Sequence, residues 1–205
     1  IGGAKISTKI DLLFNLIKQY DVIAIGGAMA NTFLYANGLD IGKSLCEKDL
    51  SKIALSILDK AKNLKCQIIL PVDVICSNSP TDQKNIRSCN INDVYPNQMI
   101  LDIGSKTTSL ISEFIKRSNK ILWNGPVGAF EYKPFDKSSV DLAKLIKKYS
   151  KKTKTSTIAG GGDTVSVIKM AKAENDFGYI SNAGGAFLEW LEGKESPGII
   201  ALKNS

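Results

Sequence analysis

Glycines fall where the apolar runs end, and that coincidence constrains the fold more than any other feature of the chain. Short β-rich runs at residues 22–25, 67–72, 100–103, 120–123, 156–159 and 178–181 are each apolar enough to be covered on both faces, as parallel strands are. Apolar residues at helical spacing fill the intervals: Leu12, Leu13, Leu16 and Ile17; then Ile53, Ile57, Ala61 and Leu64; then Leu142, Leu145 and Ile146. The alternation predicts an α/β fold, a Rossmann-like three-layer α/β/α domain with a mostly parallel sheet of about six strands. Residues 73–97, broken by Asn, Asp, Ser and Pro, predict a small irregular or antiparallel excursion.

With 205 residues, 43% hydrophobic and 23% charged, the chain has the size and composition of one globular domain, so 1–205 reads as a single unit. A glycine turn such as Gly2-Gly3 ordinarily follows a strand, and none precedes it in the sequence, so a piece of something longer is expected. No run approaches the roughly 18 uncharged apolar residues of a membrane span, and the first residues lack a signal segment. The expectation is therefore a cytoplasmic protein without a membrane partner. Cys46, Cys66, Cys76 and Cys89 form no C-x-x-C pair and there is no histidine, which argues against a zinc site and for reduced, mostly buried thiols.

The excess of 27 Lys+Arg over 20 Asp+Glu is mostly lysine. It thickens at Lys147, Lys148, Lys151, Lys152 and Lys154 without interleaved aromatics, where a helix should end, so it reads as a solvated helix terminus. Nucleic acid is not an expected partner.

In open parallel sheets ligands bind at the carboxyl ends of strands. Gly26-Gly27, Gly104, Gly125 with Gly128, Gly160-Gly161-Gly162 and Gly184-Gly185 all fall at such ends. One glycine there merely permits a turn; five turns on one edge favour a bound ligand. Gly160-Gly161-Gly162-Asp163-Thr164 is the strongest, because consecutive glycines open backbone N–H groups to phosphate oxygens at a helix N-terminus. Asp163 would then hold a hard cation, and the Thr164 hydroxyl would donate to the ligand. Lys5 and Lys9 stand four apart at an expected helix start capped by Ser7 or Thr8, where a cation opposes the helix dipole unless an anion is also present. The P-loop-like Gly38-Leu39-Asp40-Ile41-Gly42-Lys43-Ser44 is one residue short and follows a helical pattern at 29–37, so it is rejected.

Read in order, Gly2-Gly3-Ala4-Lys5-Ile6-Ser7-Thr8-Lys9-Ile10, Ile25-Gly26-Gly27-Ala28-Met29-Ala30, Leu70-Pro71-Val72-Asp73-Val74, Trp123-Asn124-Gly125-Pro126-Val127-Gly128-Ala129-Phe130-Glu131, the Gly160 to Thr164 turn and Leu188-Glu189-Trp190-Leu191-Glu192-Gly193-Lys194 closely resemble the C-terminal, nucleotide-binding domain of the phosphoglycerate kinase family. The resemblance implies reversible, magnesium-dependent phosphoryl transfer from 1,3-bisphosphoglycerate to ADP, giving ATP and 3-phosphoglycerate. It implies that Lys5 and Lys9 meet the phosphates and the group in flight, that Asp163 is the Mg2+ ligand, and that Ala4, Gly160, Gly161, Gly162 and Thr164 surround the phosphates. Glu131 resembles the ribose acceptor. Gly27, Ala28, Met99, Ile100, Leu101, Asn124 and Pro126 resemble the walls around base and sugar, and Gly184 and Gly185 the helix start facing the transferred group.

Ala28, Ile100, Ser105 and Asn182-Ala183 depart from the family's usual glycine, glycine, proline and Thr-Gly, and Tyr179 from its histidine, which puts affinity and base preference in question more than activity. The family's N-terminal phosphoglycerate-binding domain is not in this sequence. A monomer that binds nucleotide but turns over little alone is expected; the alternative is a stand-alone nucleotide-binding regulatory module.

Overall fold

Period-two alternation along the central strands feeds two separate cores. In the computed structural model, which describes residues 1–182 and 184–193, β6 (Lys120–Asn124) lies parallel to β7 (Ser156–Gly160), and β7 is parallel to β8 (Tyr179–Ser181). Leu122 and Ile158 turn to one face, where they meet Leu13, Met29, Phe33, Ile57 and Phe187; Trp123 and Ala159 turn to the other, against Leu142, Ile146, Val167 and Ile168. Each face is roofed by helices. The first carries α1 (Ile10–Leu16), α2 (Ala28–Ala36), α3 (Ser51–Asn63) and α7 (Gly184–Leu191); the second carries α4 (Ser105–Arg117), α5 (Lys137–Thr153) and α6 (Gly162–Met170). The α/β/α layering expected from the alternation is thus present.

A second parallel pair, β1 (Val22–Ala24) with β2 (Gln67–Ile69), stands beside the first group. Residues 1–3 run between them. Ile1 N donates to the Ala24 carbonyl at 2.7 Å. Gly26 N–H donates to Ile1 O at 3.0 Å, Gly2 N–H to Asn124 O at 2.8 Å and Gly3 N–H to Pro126 O at 3.1 Å. Backbone pairing across this short segment joins the two strand groups at their carboxyl ends.

Residues 100–103 do not join the parallel sheet. They belong to β5 (Met99–Ile103), which pairs antiparallel with β3 (Asp73–Ser77), itself antiparallel to β4 (Arg87–Asn90). The parallel run expected at 67–72 ends at Ile69, because Pro71 has no N–H to donate to a ladder and the chain turns into β3. The described parallel strands therefore number five, and the expected antiparallel excursion is larger than residues 73–97, since it takes β5 with it. A third core of Leu34, Ile41, Val74, Cys76, Ile91 and Val94 lies beneath this sheet.

The rejected P-loop segment is a loop folded onto β5: Lys43 N–H donates to Gln98 O at 2.8 Å, and Ile100 N–H to Ser44 Oγ at 2.8 Å. The lysines at the end of α5 are not all solvated as expected. Lys147 and Lys151 pair with Asp176 at 2.9 and 2.6 Å, tying the helix end to the turn before β8. All four cysteines are free thiols; Cys66 and Cys76 are buried, Cys46 and Cys89 half-buried. No helix among the described residues is long and apolar enough to cross a membrane. Ala183 and Lys194 lie outside the described residues.

Candidate functional site

Three turns from distant parts of the chain are sewn together at the carboxyl edge of the parallel strands. Gly27 N–H donates to Val127 O at 2.8 Å and Met29 N–H to Gly3 O at 3.0 Å, so the turn before α2 locks to both the first residues and the turn after β6. The turn after β7 is bound in by side chains. Asn124 Nδ2 donates to Gly160 O at 2.7 Å, and Gly125 N–H donates to Thr164 Oγ1 at 2.7 Å. The start of α7 completes the group, since a Cβ on Gly184 would lie 3.7 Å from Gly161 Cα.

The glycines here have different duties. Gly125 (φ +89°) and Gly161 (φ +98°) sit in backbone conformations that side chains disfavour, and a Cβ on Gly125 would strike the Gly2 backbone. Gly162 and Gly185 stand at helix starts where, among the described residues, no neighbour lies within 4 Å of a would-be Cβ. Among the described residues nothing requires glycine at these two positions, and the space above them is open to a ligand. Among the described residues no side chain caps the N-terminus of α6, which leaves its amides and the positive end of its dipole towards that space.

Lys9 is buried at 9% exposure, and its Nζ donates to Asn124 Oδ1. Burial pushes its pKa down to about 8, and the Asp163 carboxylate pulls it partly back up. Lys9 occupies the N-cap position of α1, which begins at Ile10, later than expected, and no side chain caps it. Ser7 and Thr8 are engaged elsewhere: Ser7 donates its N–H and its hydroxyl to Glu47 at 3.0 and 2.6 Å, and Thr8 Oγ1 donates to Lys5 O at 3.0 Å. The two lysines are thus not a matched pair on one helical turn. Lys5 is exposed and Lys9 is buried.

Beside this edge lies a slot of about 260 Å³. Its walls include Gly3, Ala4, Gly27 and Ala28 from the first two turns, Met99, Ile100 and Leu101 from β5, and Pro126 and Glu131 after β6. Asp163 lines it as well, exposed in the first turn of α6. Apolar walls with a few polar groups at one side suit a planar ring joined to a polyanion. Asn124 is not a wall of the slot; it is 2% exposed and spends its amide on Lys9 and Gly160. The Thr164 side chain is also turned inward, fully buried with its Oγ1 accepting from Gly125, which corrects the expectation that it faces the ligand. Both serve by fixing the turns to each other.

Two carboxylates to which the sequence assigned no role hold the surroundings in place. Asp102 is 2% exposed; its oxygens accept from Ile103 N–H at 2.9 Å and from Ser138 N–H at 3.0 Å in the first turn of α5. Burial pushes its carboxyl up to about 7. Asp73 is 3% exposed and accepts from Lys106 N–H at 2.9 Å, Thr107 N–H at 2.7 Å and Thr107 Oγ1 at 2.7 Å, which anchors the start of α4. The available signal was a charged residue inside an otherwise apolar strand, as in Leu101-Asp102-Ile103.

Fold and site together define an α/β domain that presents open glycine amides, a buried lysine and an exposed carboxylate at one edge of a parallel sheet. A family model described as phosphoglycerate kinase matches residues 1–194. The chain belongs to the phosphoglycerate kinase family. It is 50% identical to the phosphoglycerate kinase of Mesorhizobium japonicum over 203 residues, 99% of this chain and 51% of that protein. To that of Chelativorans sp. it is 47% identical over 203 residues, with the same coverage. The solved structure of phosphoglycerate kinase from Coxiella burnetii superposes with a TM-score of 0.95 at 39% identity, over 100% of this chain and 51% of that one. The crystal structure of the enzyme from Pyrococcus horikoshii OT3 gives 0.76 at 27%, over 98% of this chain and 50% of that one. The chain spans about half the length of the curated relatives it matches.

Proposed function

We propose that this chain is the nucleotide-binding half of a phosphoglycerate kinase and holds MgADP or MgATP along its glycine-rich sheet edge. The observation that carries the reading is that Gly162 and Gly185 are open at helix starts while Lys9 and Asp163 flank the same edge. The base and ribose lie in the slot, with Glu131 towards the sugar hydroxyls. The phosphates lie over Gly161, Gly162 and the first amides of α6, and Lys9 and Lys5 approach them from the N-terminal turn.

One exposed carboxylate fits magnesium, because this ion keeps several waters and is held by one or two carboxylates together with phosphate oxygens. When bound it neutralises charge on the phosphates. The residues of the chain fix geometry. Lys9, locked by Asn124, and the helix N-termini place positive charge where the equatorial oxygens of the transferred phosphoryl group gain negative charge. In the reaction implied by the family, the bond between the acyl oxygen of 1,3-bisphosphoglycerate and phosphorus breaks and a bond to the terminal ADP oxygen forms. The phosphoglycerate is held by a further domain of the full-length protein. The expected behaviour of this chain alone is nucleotide binding with very little turnover, which a coupled ATP-formation assay checks.

Calorimetric titration with MgADP tests the assignment. The native chain is expected to bind and Asp163→Ala to bind at least tenfold more weakly, since a charged contact contributes about 1.5–3 kcal/mol. Equal affinities would remove Asp163 as the cation ligand, and no binding to the native chain would overturn the reading.

A further inference from the structure

We propose that Cys76 and Cys89 form a dithiol site that reacts with peroxides and closes reversibly to a disulfide. Strand register puts both sulfurs on one face of the β3–β4 ladder: Cys76 stands opposite Arg87 and Cys89 opposite Val74, and directly opposed residues share a face. The two cysteines are therefore diagonal neighbours, and their Sγ atoms lie 3.9 Å apart. This is the one sulfur–sulfur contact among the described residues.

The two sulfurs differ in access. Cys76 is fully buried in the third core, on the middle strand of its sheet, whereas Cys89 is half-buried on β4, an edge strand. Burial first, then Cys89 beside it, pushes the Cys76 thiol up to about 12, so Cys76 keeps its proton. Peroxide therefore meets Cys89 first. With hydrogen peroxide, the Cys89 sulfur attacks one oxygen, the O–O bond breaks, and the second oxygen leaves as water with the thiol proton, giving a sulfenic acid. The Cys76 sulfur then attacks the Cys89 sulfur. An S–S bond forms, the S–O bond breaks, and the hydroxyl leaves as water with the Cys76 proton. Two thiols thus give up two electrons, and one peroxide becomes two waters. Drawing the sulfurs from 3.9 Å to a bond of about 2.05 Å requires β4 to shift, which an edge strand paired on one side allows.

The bond protects the packing beneath it. Cys89 packs against the core that contains Val74, Ile91 and Val94, and Cys76 stands opposite Ile100, a wall of the slot. Without a second thiol, further oxidation of Cys89 to sulfinic or sulfonic acid would set a charge against that apolar cluster, at a high desolvation cost. A disulfide is uncharged, and an added thiol reverses it.

Titration of the chain with hydrogen peroxide, read by intact-mass and peptide mass spectrometry, tests the site. The native chain is expected to lose two hydrogens, to yield peptides linked through Cys76 and Cys89, and to regain its starting mass in dithiothreitol. In Cys76→Ala the same dose is expected to carry Cys89 on to sulfinic and sulfonic acid, which dithiothreitol does not reverse. The native titration stands by itself if the variant folds poorly. A native chain whose Cys89 stays reduced throughout, or goes directly to sulfinic acid, overturns the proposal. So does a disulfide that joins other cysteines or two chains, and so does a folded Cys76→Ala chain in which Cys89 is oxidised no further than in the native one.

Discussion

The Lys9 ammonium donates to the side-chain oxygen of Asn124, a residue 115 positions away, and that bond fixes the cation at the edge where three glycine turns meet. A buried lysine at the N-cap of a helix is opposed by desolvation and by the dipole. It is worth keeping there only if an anion comes to it.

Lys9→Met is expected to weaken MgADP binding by at least tenfold, the scale of one charge-assisted hydrogen bond. The native affinity should also fall as pH rises above about 8, the value to which burial lowers the Lys9 pKa, because the ligand then has to bring a proton onto the amine. For folding the sign is opposite. Between about 8 and the ordinary 10.5 the unfolded chain binds more protons at this site, so the contribution of Lys9 to stability rises with pH in that window. Calorimetry and thermal melts across pH 7 to 10 check both; an affinity flat in pH would count against Lys9 as a phosphate contact.

Gly162→Ala and Gly185→Ala should fold as well as the native chain, since each added methyl enters open space. At compatible backbone angles such changes stabilise by about 0.4–1 kcal/mol. Both should nevertheless weaken nucleotide binding, because the methyl occupies the approach of the phosphates. Gly125→Ala is the contrasting case: its φ of +89° and the Gly2 backbone leave no room, and a loss of about 2–4 kcal/mol is expected in urea unfolding.

Asp73→Ala removes the acceptor for two backbone N–H groups and one hydroxyl at the buried start of α4. A cost of about 3 kcal/mol is expected, combining a lost helix anchor with unsatisfied buried donors, and the midpoint of chemical unfolding reads it.

Cys66 and Cys76 should resist alkylation at pH 8, while the half-buried Cys46 and Cys89 react first. Burial is the main reason in the case of Cys76, whose thiol is pushed up to about 12, with Cys89 beside it at 3.9 Å adding to the shift. Mass spectrometry of a timed iodoacetamide reaction gives the order.

Local pattern carried most of the architecture. Short apolar runs at 120–123 and 156–159, and helical spacing at Leu142, Leu145 and Ile146, depend on neighbours in sequence and are legible there. The partner of β5 is not, because Met99 to Ile103 reads as a buried strand whichever way its neighbour runs. The same holds within the site. Gly161 and Asp163 announce themselves by type and spacing, whereas the inward turns of Asn124 and Thr164 depend on contacts 36 and 39 residues distant.

Backbone amide spectra of the labelled chain titrated with MgADP test the convergence of turns on one polyanion most directly. The largest shifts are expected on Gly3, Gly161, Gly162, Asp163 and Gly185, with smaller ones along the slot at Ala28 and Leu101. Shifts confined to surfaces away from this edge, or none at saturating MgADP, would contradict it.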